Sequence, residues 1–166
     1  CNFLAQPNIT SAEKYEAYIL KSAIYRRLYK YEHALHFLDL ALKQGIKGKN
    51  RAAAEQQIKA ERSFIYFDKQ EFDTSEKLTA ELEATNYRNL QPKYLLFLYT
   101  QKGYFLLKRK EYAASEEILS KAFNLSKKHF PSELPIIFGK QIVLYHQIGT
   151  IQKRDLAYKA EIQSAG

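Results

Sequence analysis

Apolar residues recur at intervals of three and four along most of the chain, which is the spacing of amphipathic helices. The first such stretch begins after Thr10 and Glu13, which match a capping box, where each side chain accepts a hydrogen bond from the other residue's backbone amide. A corner at Tyr29-Lys30 leads to a second helical stretch, which we expect to end at Gly45 because glycine tolerates the positive φ of a helix end. The chain therefore opens with a helical hairpin.

The same pattern follows three more times. Helices are predicted at 51–68 and 71–84, at 92–108 and 111–128, and at 136–149 and about 152–163. Pro92 suits the first turn of its helix, where a backbone N–H has no intrahelical partner. No segment alternates as a β-strand does. The pattern predicts an all-α fold of eight helices in four hairpins.

Three hairpin corners share one motif, an aromatic residue followed by two free positions and a small residue. The copies are Tyr31-Glu-His-Ala34, Phe72-Asp-Thr-Ser75 and Tyr112-Ala-Ala-Ser115, so the small anchors are 41 and 40 residues apart. Another small residue, namely Ser22, Ser63 or Gly103, lies twelve positions before each anchor. Antiparallel helices approach most closely where small residues face each other, so we expect each pair to mark a contact inside its hairpin.

The copies also differ from one another. Leu38 and Leu119 follow the first and third anchors by four positions, whereas the middle copy has Thr79 at that place. A fourth, weaker copy is anchored on Ala157, with Tyr145 at its small position.

These residues resemble the tetratricopeptide-repeat (TPR) family, which has a small residue in its first helix, an aromatic residue at the corner and an alanine-based pattern in its second helix. The resemblance covers residues 12–163, although the family repeat has 34 residues and these copies are longer. It implies an α-solenoid, a TPR-like superhelix of about four antiparallel hairpins with copies at about 10–50, 51–91, 92–131 and 132–166. These form one domain, 10–166, after an N-terminal extension, 1–9.

A TPR solenoid binds a peptide or a helix on the concave face formed by its first helices. The resemblance therefore implies a protein-binding or peptide-binding scaffold. Its longer repeats resemble those of bacterial signalling proteins, which implies the interaction or sensory portion of a larger signalling or exported protein. The groove positions carried over from the family are Ile19, Arg26, Arg27, Gln57, Phe64, Phe67, Phe97, Thr100, Tyr104, Lys108, Ile142 and His146.

An aromatic centre with positive charge near one end suits an apolar or aromatic segment of some acidic character. The simpler interpretation is that Phe64, Phe67 and Tyr104 pack against neighbouring helices. The family's carboxylate clamp uses Lys and Asn, but its places here include Ile19 and Phe64, which argues against a receptor for chaperone tails.

The net charge of +8 is divided as +4 in residues 1–50, −1 in 51–100 and +5 in 101–166. Basic residues lie at all four hairpin corners, at Lys30, at Lys69, at Lys108-Arg-Lys110 and at Lys153-Arg154. A solenoid would align them along one edge, which suggests an alternative function in binding nucleic acid or anionic membrane. The other interpretation is a solvated surface.

Catalytic chemistry has little support in the sequence. His33 and His36 share a helix face but do not complete a metal site, and no Gly-rich phosphate loop, nucleophile elbow or H-E-x-x-H motif is present. We expect no enzyme activity, cofactor or metal. Cys1, the single cysteine, suits the lipidated residue of a bacterial lipoprotein, the residue after a signal peptide, or a fragment boundary. This favours a periplasmic or lipid-anchored setting over the cytoplasm.

Overall fold

The computed structural model describes residues 9–135, 139, 158 and 160–164. Between residues 9 and 133 the chain forms six α-helices and a 3-10 turn at Pro131–Glu133, and the described residues 134, 135, 139, 158 and 160–164 are also helical. The helices are α1 (Ser11–Arg27), α2 (Tyr31–Leu42), α3 (Lys49–Asp68), α4 (Phe72–Ala84), α5 (Pro92–Lys108) and α6 (Tyr112–His129). The described residues contain no strand, so the predicted all-α class is confirmed. The fourth predicted hairpin lies almost entirely outside the described residues.

In the first three hairpins the observed helix ends lie within three residues of the predicted ones. Thr10 Oγ1 accepts a hydrogen bond from the Glu13 amide at 3.2 Å, and Glu13 Oε2 accepts one from the Thr10 amide at 2.9 Å, so the capping box is confirmed. The second helix ends at Leu42, before Gly45, which has its positive φ of 65° in the following loop. Lys43 and Gln44 form the turn between them.

The helices pack in sequential pairs, α1 with α2, α3 with α4 and α5 with α6. The chain divides into two compact units, Cys1–Leu90 and Gln91–Gly166. In the first unit, α2 and α1 also contact α3, and a core that includes Tyr15, Ile19, Leu38 and Ile65 joins the three helices. In the second unit, buried residues of α5 and α6 form the core of one hairpin.

The small residues twelve positions apart do meet inside each hairpin. One hydrogen bond of 2.9 Å joins the two helices in every copy, from Ser22 Oγ to the Ala34 carbonyl, from Ser75 Oγ to the Ser63 carbonyl and from Ser115 Oγ to the Gly103 carbonyl. All six residues are buried, so each hydroxyl exchanges water for a carbonyl of the facing helix. The sequence register thus identifies a buried contact between the two helices of each hairpin.

The middle hairpin departs from the pattern through Thr79, and the structure gives the reason. Thr79 Oγ1 lies 3.0 Å from Ser63 Oγ and donates to the Ser75 carbonyl, also at 3.0 Å. A small hydroxyl cluster therefore occupies the place that a leucine fills in the other two copies.

The three corners have one backbone conformation that the sequence did not predict. Tyr29, Gln70 and Lys110 have positive φ values of 59°, 65° and 62°, and each lies five residues before its anchor. The amide that follows each one bonds to the carbonyl five residues earlier, as Lys30 does to Tyr25 at 2.9 Å, which is a Schellman ending. Glycine is the usual residue at such a position, so a sequence with Tyr29, Gln70 and Lys110 there does not predict a Schellman motif.

Candidate partner-binding surface

Arg26 links the first helices of the first two hairpins. From α1 its Nε lies 3.4 Å from Asp68 Oδ2 and its Nη1 lies 3.9 Å from Glu61 Oε2, both on α3. The guanidinium also lies over the Phe64 ring, 5.4 Å from its centroid, in a cation–π arrangement. Arg26 of α1 is thus paired with two carboxylates of α3.

Burial affects the titration of this cluster. Desolvation raises the pKa of Asp68, and the neighbouring Arg26 acts in the opposite direction. Desolvation also raises the pKa of Tyr15, which lies on α1 outside this cluster, and the negative charges of Glu16 and Glu61 add smaller contributions. The Tyr15 hydroxyl donates to Gln57 Oε1 at 2.7 Å.

Several groove positions of the first unit are core residues. Ile19 is 7% exposed and belongs to the core of this unit, and Phe64 is 4% exposed beneath Arg26. Phe67 is half-buried and packs edge-on against Phe72, with ring centroids 5.4 Å apart. Arg27 is exposed. A partner at this face would therefore meet mainly polar and charged groups of both signs rather than open aromatic rings.

The groove positions of the second unit form one stripe along α5. We call Phe97, Thr100, Tyr104 and Lys108 the α5 stripe; their spacings of three, four and four residues place them on one helix face. The first three are half-buried and Lys108 is exposed, with its Nζ 5.7 Å from the centroid of the Tyr104 ring. The Thr100 hydroxyl donates to the Leu96 carbonyl at 2.7 Å, so its proton is already used within the helix.

The remaining two groove positions, Ile142 and His146, lie outside the described residues. The described positions fall on α1 and α3 in the first unit and on α5 in the second. Arg26 and Phe64 are in contact in the first unit, and Tyr104 and Lys108 are in contact in the second.

The basic corner residues are interleaved with acids. Lys69 Nζ lies 2.8 Å from Glu32 and 3.0 Å from Glu71, and hydrogen bonds to these two carboxylates raise its pKa. Arg109 Nε lies 2.9 Å from Glu111. Lys153 and Arg154 lie outside the described residues. The corner charges are thus partly neutralised where the structure describes them.

The histidine pair packs against aromatic rings. The His33 ring stacks on Tyr25 with centroids 5.3 Å apart, and His36 contacts Phe37 edge-on at 5.6 Å. The described part of the chain contains no group of three side chains that could hold a metal ion, and none of its helices is both long and apolar enough to cross a membrane.

One surface feature was missed by the sequence analysis. Leu20 and Ile24 of α1 and the residue that caps its C-terminus, Leu28, lie one turn apart and are 63%, 48% and 56% exposed. Their spacing of four residues indicates a second apolar face on this helix. Tyr15 and Ile19 have the same spacing, so periodicity alone does not show which of the two faces packs in the core.

Comparisons of the chain with protein-family models, with curated proteins and with solved structures give no match.

Proposed function

We propose that the chain is a TPR-like α-solenoid that binds a protein or peptide segment, as the interaction or sensory portion of a larger bacterial signalling or exported protein. The repeated hairpin contact carries this proposal. Three hairpins share a buried hydrogen bond at the same register and a corner of the same backbone conformation. Repeats of one supersecondary unit are typical of proteins that present extended binding surfaces.

The α5 stripe is the proposed centre of partner binding. It combines half-buried aromatic rings with a terminal cation on one helix face, whereas Ile19 and Phe64 have little surface to offer. Aromatic residues anchor many interfaces because they bury a large area at a small loss of rotamer freedom. Lys108 over Tyr104 adds a positive charge at the C-terminal end of the helix.

This arrangement favours a partner segment with an apolar or aromatic side chain followed by an acidic one. The apolar side chain would pack on Phe97 and Tyr104, and the carboxylate would pair with Lys108. The alternative, a nucleic-acid or anionic-membrane surface along the hairpin corners, is weakened by Glu32, Glu71 and Glu111, which pair with the corner cations.

The test is selection from a random displayed peptide library on the purified chain, followed by calorimetry with the selected peptides. We expect enrichment of sequences with an aromatic residue near an acid. Tyr104→Ala should weaken binding at least tenfold, the size expected of an interface anchor. Lys108→Gln should weaken binding less, and most clearly at low salt.

Lys127→Gln is the matched control. Lys127 is exposed on α6, and this substitution removes one positive charge from the same unit as Lys108→Gln does. Equal binding by the wild type, Tyr104→Ala and Lys108→Gln, all shown to be folded by circular dichroism, would refute the α5 stripe as the site. Salt-dependent binding of single-stranded DNA that is lost with Lys30→Gln and Lys110→Gln would favour the corner surface instead.

A further inference from the structure

A cavity of about 340 Å³ lies in the first unit and is lined by the end of α2, the loop between α2 and α3, the first half of α3 and Tyr15 of α1. Its floor is formed by Tyr15, Ala41 and Ile58, which are 4%, 1% and 3% exposed. These residues come from three different helices of one core, so the packing of that core fixes the floor.

The rim of the cavity is cationic. Lys43, Lys47 and Arg51 line it together with one carboxylate, Glu55. Arg51 Nε pairs with Glu55 Oε1 at 3.0 Å, which balances one positive charge. Neither Lys43 nor Lys47 has an ion-pair partner within the described part of the chain. Two positive charges therefore remain beside the mostly apolar floor of the cavity.

The backbone path of the segment between α2 and α3, which carries Lys43 and Lys47, depends on two glycines. Gly45 and Gly48 have φ values of 65° and 70°, a region that other residues enter at a cost. Gly45 lines the cavity, and Gly48 immediately precedes α3. The first turn of α3 contains no acidic residue, so the positive end of the helix dipole adds to the potential near Arg51.

We propose that this cavity binds a small amphipathic anion, a molecule with a carboxylate or phosphate head and a short apolar body. The head would lie between Lys43 and Lys47, and the body would contact Ile58 on the floor and Ala54 beside it on α3. By liquid-like volume the cavity holds a ligand of roughly a dozen non-hydrogen atoms. The site is independent of the α5 stripe, which belongs to the other compact unit.

The experiment uses four probes with the full chain: N-acetyl-leucine, N-acetyl-leucine amide, hexyl phosphate and inorganic phosphate. The first two share a branched apolar body and differ only in the carboxylate. Binding is followed by amide chemical shifts in nitrogen-15 NMR titrations. We expect N-acetyl-leucine or hexyl phosphate to bind with a Kd on the order of 10⁻⁴ to 10⁻³ M, as suits so small a ligand. The largest shifts should fall at Gly45 and Ala54.

Two variants separate the two halves of the site. Lys43→Gln with Lys47→Gln should weaken binding of the acid by about tenfold or more, since both charges at the head are lost. Ala54→Leu should also block binding by filling the space above Ile58, while it leaves every charge in place. Lys77→Gln, an exposed lysine on α4 of the same unit, is the control and should bind as the wild type does.

The proposal fails if neither N-acetyl-leucine nor hexyl phosphate shifts the backbone amide signals of Gly45 and Ala54. It also fails if N-acetyl-leucine amide, which has no carboxylate, binds as well as N-acetyl-leucine. It also fails if inorganic phosphate alone reproduces the shifts with equal affinity, because the apolar floor would then contribute nothing. Unchanged binding by the double lysine variant would place the anion elsewhere. Binding of N-acetyl-leucine without hexyl phosphate would identify carboxylates as the ligand, and the reverse would identify phosphate monoesters.

Discussion

A methyl group added to Gly103 would lie 2.7 Å from Cδ2 and 2.9 Å from Cγ of Leu119, which is closer than side-chain carbons approach each other. Gly103 is on α5 and Leu119 is on α6, so this contact sets how closely the third hairpin can pack. Leu119 is 2% exposed, so protein atoms enclose it on almost every side.

Gly103→Ala is therefore expected to destabilise the protein. Alanine favours a helix over glycine by about 1 kcal/mol, but overpacking in a core costs about 1–3 kcal/mol, so we expect a net loss of about 1 kcal/mol. Urea unfolding measures the difference, and adding Leu119→Val should recover part of it. Gly139→Ala is the control, because an added methyl group there meets no atom of the described structure within 4 Å. A gain in stability from Gly103→Ala would contradict the close approach.

The Ser63 cluster should tolerate the loss of a hydroxyl far better than a gain in size. Ser63→Ala removes the contacts with Ser75 Oγ at 3.2 Å and Thr79 Oγ1 at 3.0 Å, but both partners keep a carbonyl acceptor. The expected loss is about 1 kcal/mol, the net value of one hydrogen bond. Ser63→Leu forces the two helices apart and should cost about 3 kcal/mol or more.

Chemical denaturation of both Ser63 variants tests this expectation. Ala52→Leu, at an exposed position of the same helix, controls for the change in residue type and should be nearly neutral. If Ser63→Leu were as stable as Ser63→Ala, this position would not be the point of closest approach.

The hairpin corner at Gln70 should be stabilised by glycine. Gln70 is exposed, and its positive φ of 65° strains any residue that has a Cβ atom. Gln70→Gly should raise the free energy of unfolding by about 0.5–1 kcal/mol, after allowing for the greater freedom of glycine in the unfolded chain. Lys77→Gly within α4 should instead lose about 1 kcal/mol. Thermal unfolding of the two variants distinguishes these opposite signs, and a loss at both positions would contradict the corner conformation.

The sequence predicted the hairpins well because their closest contacts obey a steric rule. Small residues must face each other, so Ser22 with Ala34 and Gly103 with Ser115 could be paired from spacing alone. The corner conformation could not be predicted, because Gln70 stands where glycine is usual. The exposure of the groove positions was harder still to predict. Helical periodicity shows that Ile19 and Phe64 are on apolar faces, but it does not say whether another helix or a ligand covers each face.

Sequence patterns could not predict the candidate anion cavity, for a different reason. It depends on the path of a loop relative to three helices, and its floor joins Tyr15, Ala41 and Ile58 from distant parts of the chain. Likewise, the link between Arg26 and Asp68 spans two hairpins. Such contacts follow from tertiary packing rather than from local spacing.

Tyr15 is expected to make stability depend on alkaline pH. Burial raises its pKa in the folded state above the ordinary value of 10.0, so folding favours the protonated phenol. The contribution of Tyr15 is therefore fully present below pH 10 and falls as the pH rises above it, by up to about 1.4 kcal/mol per pH unit. Tyr15→Phe loses the hydrogen bond to Gln57 and should be about 1 kcal/mol less stable near neutral pH.

Above pH 10 this deficit should shrink, because the phenylalanine variant has no proton to lose at this position. Urea unfolding between about pH 8 and pH 11 gives the two curves, and their difference isolates Tyr15 from the other tyrosines. Tyr158→Phe, at an exposed position, provides the control and should leave the difference flat. A constant gap between the wild type and Tyr15→Phe across this range would mean that the Tyr15 phenol titrates alike in the folded and unfolded chains.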